Sequence, residues 1–374
     1  MPKKNSDTRE KILSSAEELF SKKWYETVSV AEICRNANVS NGVAYRYFNN
    51  KEEIFITLLE IMLENFETVL NTINGNTVEE RLKDFTEKVL NLGINYKELI
   101  TIYREGQFRF PDYEKKLRNI YMKSLSIVYN RKISEVEYLY LISGIRFVNI
   151  RFVYEFLKDR PENSYNLILN GYFGESAKQW NYVFKEPANY EISIEEKSSR
   201  DKLIEAGIEL FGSKGFYNVN IYEITALAGY AAGTFYIYFK SKEEFLAEII
   251  TLIGKKTRKF LTSNIIKSLN GIEQELRGIF LFLKFFEKNK NYYEIVRESE
   301  FVIGDYATDY YKRFEMGYMK HMKDTKYEDK KIVANMLMGL SHYIGIEYLF
   351  SNNISDPKIF LKEMAYYLEN GLKK

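Results

Sequence analysis

Two histidines, His321 and His342, and one cysteine, Cys34, are all that 374 residues offer for nucleophilic, general-base or soft-metal chemistry. No Ser/His/Asp order, Cys/His pair, metal-ligand cluster or glycine-rich phosphate loop accompanies them, so neither an enzyme nor a cofactor is expected. A lone cysteine forms no internal disulfide and no cysteine-based zinc site, and its sparing use points to reducing cytoplasm. Paired carboxylates occur at Glu52-Glu53 and Glu243-Glu244, each in the first turn of an expected helix, where the dipole favours negative charge without a catalytic role. Lys51 opens the same expected helix, where free backbone N–H groups already favour an anion, and the pair suits a phosphate. Net charge is only +2, so contact with a polyanion must come from local placement of charge.

These residues sit inside a repeat. Arg9 to Phe55 align without a gap on Arg200 to Leu246, at an offset of 191. Identical pairs include Leu19 with Leu210, Phe20 with Phe211, Ile33 with Ile224, Gly42 with Gly233, Tyr45 with Tyr236, Phe48 with Phe239 and Lys51 with Lys242. Further along, Arg104-Glu105 through Asp112-Tyr113 match Arg297-Glu298 through Asp305-Tyr306, which extends the duplication beyond the first domain of each copy.

The elements that position these side chains read as helices. Pro is only 5, Gly 20, and apolar residues recur at helical spacing, so the fold class is all-α. Ile12, Leu13, Ala16, Leu19 and Phe20 form one stripe of a helix from about Asp7 to Lys23, matched by Leu203, Ile204, Gly207, Leu210 and Phe211. Ser29-Val30-Ala31-Glu32 reads as a capping box that opens a second helix, and Asn220-Ile221-Tyr222-Glu223 stands in its place in the other copy. A two-turn third helix begins at Ser40 and a fourth at Asn50, which together describe a helix-turn-helix. Capping boxes at Thr77 and Ser134 open later helices, and Pro161 and Pro187 mark helix ends. No apolar run reaches the roughly 20 residues needed to span a bilayer. The N-terminus lacks the apolar core of a signal peptide, and no membrane partner is expected.

The pattern Val39-Ser40-x-Gly42-x-x-Tyr45-x-Tyr47-Phe48-x-x-Lys51-Glu52-Glu53, after an Ile33-containing helix and a Leu19-Phe20 pair, closely resembles the DNA-binding domain of tetracycline-repressor-like (TetR family) regulators. The resemblance implies two fused subunits, each a DNA-binding head plus a helical body that binds a small effector. The expected domains are residues 1–55 and 199–246 for the heads, 56–185 and 247–374 for the bodies, and 186–198 for a polar linker. In that family the last two helices of two bodies pack together. The counterparts here are Ser134 to Lys158 with Asn163 to Phe184, and Glu328 to Ser351 with Pro357 to Leu372. They would make an intramolecular pseudo-dimer, unless their stripes are ordinary core within each half. Whether fused chains pair again stays open.

Carried onto these positions, the resemblance makes double-stranded DNA the partner. The contacts fall to Ser29, Ser40, Asn41, Val43, Tyr45, Arg46, Tyr47 and Lys51 in the first head, and Asn220, Thr234, Tyr236, Tyr238 and Lys242 in the second. Ser40, Asn41 and Arg46 can donate to phosphates or base edges, and Val43 can meet a thymine methyl. The second head offers Ala231, Ala232, Thr234 and Ile237 instead, so an asymmetric operator is expected. Alternatively the second head grips backbone without specificity, or one or both heads are inactive in a ligand-binding or scaffold protein. The N-terminal Lys3 and Lys4 either follow a minor groove or form a solvated end. Effector contacts, to an apolar or aromatic molecule, fall to Tyr103, Arg104, Phe108, Tyr121 and Phe147, and to Arg297, Phe301, Tyr311 and His342. The competing reading is plain aromatic core, with Glu105 and Glu298 pairing their neighbouring arginines.

Overall fold

A computed structural model describes residues 3–153, 157, 164–187 and 198–372, with side chains from Asp7 onward. The first copy contains α1 (Lys3–Lys22), α2 (Val30–Asn36), α3 (Asn41–Ala44), α4 (Lys51–Leu70), α5 (Val78–Asn95), α6 (Lys97–Arg109), α7 (Pro111–Tyr129) and α8 (Glu135–Val153). The short α9 (Ser164–Asn170) and α10 (Trp180–Val183) follow. The second copy runs through α11 (Ser199–Lys214), α12 (Ile221–Leu227), α13 (Gly233–Tyr238), α14 (Lys242–Ser263), α15 (Gly271–Lys288), α16 (Lys290–Val302), α17 (Gly304–His321), α18 (Lys330–Leu349) and α19 (Pro357–Asn370). The fold is all-α; among the described residues the extended pairing found is one isolated bridge between Phe173 and Thr325.

Side-chain caps fix where these helices begin. Thr77 and Glu80 close a reciprocal capping box on α5, Asn270 and Glu273 close its counterpart on α15, and Ser134 and Glu137 do the same for α8. The paired carboxylates expected to need no catalytic role have a structural one. Glu53 and Glu244 reach back from the first turns of α4 and α14 to accept the backbone N–H of Asn49 and Lys240.

Contacts divide the chain into two compact units that do not split at the polar linker. One comprises Met1–Ile133 with Asn149–Glu162, the other Ser134–Val148 with Asn163–Lys374. Within the first, the head is seated by α6, which packs on α1 and α4, while α7 completes the body. Within the second, α16 packs on α11 and α17 on α14, and α15 lies against α18 and α19. The second unit also takes in the Glu135–Val148 part of α8, which meets α18 closely. A Cβ on Gly339 would lie 2.5 Å from Phe147 Cβ and 2.6 Å from the Ser143 carbonyl oxygen. Arg146 stacks over Tyr343 at 4.4 Å. Leu139, Ile142 and Ile145, like Ile332, Met336 and Tyr343, are buried as the helical spacing required.

Three expectations are corrected. Asn163 to Phe184 is no single helix: α9 stops at Asn170 because Gly171, at φ +72°, turns the chain, and α10 is a single turn. The segment between them becomes a strap on α15, where Glu273 accepts the N–H groups of Lys178 and Gln179 at 2.8 Å each. One turn on, Arg277 donates to the carbonyls of Tyr182, Val183 and Lys185. Second, α3 is one turn long rather than two. Third, the box at Ser29 is only half formed: its hydroxyl accepts from Glu32 N at 3.1 Å, but the Glu32 carboxylate is taken by Lys23. The Lys158 end of α8, Pro161 and most of the linker lie outside the described residues, as do the side chains of Lys3 and Lys4.

Because the Ser143 carbonyl is backbone and cannot swing aside, Gly339→Val is expected to destabilise the chain by about 3 kcal/mol through overpacking. Urea unfolding of the two proteins measures it; an unchanged midpoint would show that the crossing is loose.

Candidate functional site

Each head hangs on the backbone of one residue. In the first, the backbone N–H of Tyr25 is accepted by both carboxylate oxygens of Glu105 on α6, at 3.1 and 3.2 Å. The carbonyl of the same residue accepts from Lys51 Nζ on α4 at 2.8 Å. In the second, Phe216 N–H is held by Glu298 at 2.8 Å, and Lys242 Nζ donates to the carbonyls of Phe216 and Val219 at 2.9 and 2.8 Å. Each ammonium also lies over an aromatic ring, Lys51 over Tyr25 at 4.1 Å and Lys242 over Phe216 at 4.2 Å. Burial lowers both lysine pKa values from their ordinary level. It also pushes the Glu105 carboxyl up to about 7, against the pull of nearby Arg109.

This geometry reassigns two residues in each copy. Lys51 and Lys242 are not free phosphate grips; each ammonium is committed to loop carbonyls inside its own head. Glu105 and Glu298, for which ion pairs with Arg104 and Arg297 were one expectation, instead hold backbone N–H groups. Around the clamp the framework repeats in kind. Lys23 pairs with Glu32 and Lys214 with Glu223, while Arg9 stacks on Phe48 and Arg200 on Phe239, each at 5.4 Å. Ser29 and Asn220 are engaged as N-caps, which leaves their role in DNA contact secondary to opening α2 and α12.

The faces presented by α3 and α13 differ. In the first head Ser40, Asn41, Tyr45 and Arg46 are exposed, with Val43 and Tyr47 half-buried behind them. That combination supplies hydroxyl, amide and guanidinium donors on one surface. In the second, Tyr236 and Tyr238 are exposed and Thr234 is half-buried. Ile237 stands 75% exposed where the first head has Arg46, and Tyr222 72% exposed where it has Ala31. Apolar contact and phenolic hydroxyls replace the charged donor.

The bodies differ more. In the first, Tyr103 is buried with its hydroxyl on the Tyr113 carbonyl, and Tyr121 is wedged between Phe66 and Phe85. Both pack in the core of the first body; Arg104 and Phe108 are half-buried. The second unit contains a cavity of about 290 Å³ bounded by α14, α15, α16, α17 and α18. Arg297, Tyr311 and His342 line it, as does Phe147, which was assigned to the first body; Phe301 does not. His342 Nδ1 lies 3.0 Å from Tyr293 OH, and the Tyr311 hydroxyl donates to Glu300. Phe314 also lines the cavity, and Glu275, Gly278, Phe282 and Tyr318, which line it too, were missed. Their signal lay in the comparison of the copies: at an offset of 193, Gly278 stands where Phe85 fills the first body.

Lys51→Met removes the ammonium and keeps the stem. The expected result is a loss of about 1–3 kcal/mol from unsatisfied Tyr25 carbonyl and lost stacking, with an unchanged salt dependence of DNA binding. Thermal melts and DNA titrations at several salt concentrations test this; a salt slope shallower by about one would restore the phosphate role.

Comparison with known proteins accords with this duplicated architecture. The family described as bacterial regulatory proteins, tetR family, matches twice, over residues 12–58 and 203–249. The uncharacterised HTH-type transcriptional regulator YdgC of Bacillus subtilis is 26% identical over 187 residues, which cover 92% of that protein and 46% of this chain. The HTH-type transcriptional regulator HbdR of an Aromatoleum strain is 38% identical over 66 residues, 29% of its length and 18% of this chain. Among solved structures, the fatty acid degradation regulator FadR from Bacillus halodurans aligns at 17% identity and a TM-score of 0.40, covering 48% of this chain and 98% of that one. With the helix-turn-helix and its clamp present twice and the family matched at both, the chain belongs to the TetR family of transcriptional regulators and carries two of its DNA-binding domains, fused in tandem.

Proposed function

We propose that the chain is a ligand-released repressor, working in the cytoplasm, in which two unlike heads grip an asymmetric operator and an apolar or aromatic effector is sensed by the second body. The observation that carries the sensing is Gly278, which has nothing within 4 Å of where its Cβ would stand, against Phe85, which is fully buried in the first body. The duplicated core has been emptied on one side. A mainly apolar and aromatic lining with a few polar groups is what a small-molecule site requires.

Coupling runs through α14. Its C-terminal part contributes Arg258, Leu261 and Thr262 to the cavity, and its first residue, Lys242, is half of the second clamp. At about 1.5 Å per residue, the helix carries these cavity residues about 24–30 Å from Lys242. An effector that favours a shifted α14 therefore lowers affinity for DNA only as far as it binds that arrangement more tightly. An intramolecular pseudo-dimer is supported by Glu135–Val148 and α9, which share one compact unit with α18 and α19.

One observation favours a second reading. The exposed apolar face around Ile237 and Tyr222 suits a head that no longer reads bases. Selection of bound duplexes from a random pool separates the two. Two unlike half-sites at fixed spacing are expected; a clean palindrome sinks the asymmetric operator, and one half-site beside random sequence establishes the idle head.

Gly278→Phe is expected to fill the cavity, leaving affinity for the selected DNA within about twofold while abolishing its release by effector. Gel-shift titrations with and without a cell extract that releases the unmodified protein provide the check. Undiminished release by the variant would place the sensor elsewhere.

A further inference from the structure

The second-body cavity differs from its first-body counterpart in charge as well as volume. α5 and α15 are each 18 residues long and align from cap to end, so Leu82 stands where Glu275 does. α7 and α17 start in the same register, and Leu125 stands where Tyr318 does. Two buried leucines of one copy are thus replaced by a carboxylate and a phenol that bond to each other, Tyr318 OH donating to Glu275 Oε1 at 3.2 Å. Gly278, one turn from Glu275, opens the space beside this pair.

Among the described residues Glu275 has no ion-pair partner. Of the cationic groups of the lining, Arg277 is engaged on four backbone carbonyls, Arg313 on Asp309 at 2.7 Å and Arg297 near Glu294 at 3.4 Å, while His321 and Lys323 are exposed. Arg258 lies over the Phe314 ring at 5.5 Å. A buried carboxylate without a counter-charge is costly, and burial pushes Glu275 up to about 7, with the Tyr318 hydrogen bond pulling the other way. Phe147, Phe282, Tyr310, Tyr311 and Phe314 bring aromatic rings to the same space, and ring faces attract positive charge.

We propose that the cavity takes an organic cation, a quaternary ammonium or protonated amine on an apolar or aromatic frame, with Glu275 as its counter-ion. The proposal rests on the reading of this cavity as the effector site. A cation would gain an ion pair in a water-poor site and contact with ring faces, while Tyr318 holds the carboxylate in place from its other side.

The test is calorimetric titration of the full chain with phenyltrimethylammonium and with tert-butylbenzene, which has nearly the same shape and no charge. The cation is expected to bind about tenfold or more tightly than its neutral match, although transfer from water alone favours the neutral compound. Glu275→Gln is expected to cost the cation at least about tenfold and to change tert-butylbenzene affinity by less than about twofold. Equal or tighter binding of tert-butylbenzene to the unmodified chain overturns the cation proposal and leaves the cavity as an effector site. Binding of neither compound overturns both. The matched pair on the unmodified chain decides even if the variant fails to fold.

Discussion

The architecture depends on one residue's backbone held from both sides. A carboxylate from the body takes its N–H and an ammonium from the fourth helix of the head takes its carbonyl, at Tyr25 in one copy and Phe216 in the other. Each partner is expensive to bury alone, and each is satisfied only when body, first helix and fourth helix are all in place. The clamp therefore acts as a checkpoint for the orientation of the helix-turn-helix. It also explains why Lys51 and Lys242 recur at one position, and Glu105 and Glu298 at another, while the reading faces themselves differ.

Between the two copies, conserved and altered positions separate by physical role. Caps, framework ion pairs, cation–π stacks and clamps recur, since each fixes backbone geometry that both heads need. Positions on the exposed faces of α3 and α13 and on the inward face of the body do not. Arg46 against Ile237 changes what a head can recognise, and Leu82, Phe85 and Leu125 against Glu275, Gly278 and Tyr318 convert a packed core into a charged hollow. Removing a buried phenylalanine from a domain ordinarily costs several kcal/mol. In the second unit the extra burial of α15 against α18, α19 and the strap offers compensation.

Much of this was legible in the chain before its structure. The duplication, the helix-turn-helix, its caps and the helical class followed from spacing, because local sequence dictates them. The inward turn of Lys51 did not, because a lysine in a first helical turn looks the same whether it faces a phosphate or a carbonyl 26 residues away. Nor did the strap after α9: the apolar residues of Asn163 to Phe184 suit a helix, and only Gly171 and the carboxylate and guanidinium of a distant α15 decide otherwise. Tyr103 and Tyr121 read as ligand contacts by type, yet they fill their own core. Gly278 was visible in the sequence, but its meaning needed the Phe85 of the other copy.

The helix α8 contributes to both compact units, its first part to one and its last residues to the other. A chain with such a shared element is not two subunits joined by a tether that proteolysis could undo. A fragment beginning after the polar linker would lack Glu135–Val148, α9 and the strap, and would leave apolar surface of α15 and α18 facing water. Fusion also changes the concentration dependence of assembly. Free subunits find one another at a rate and extent set by their abundance, whereas linked copies meet at a fixed effective concentration however few molecules a cell holds. In the proposed intramolecular pairing, a regulator would keep its form at very low copy number, and each half would be released from the symmetry that self-association of identical chains imposes.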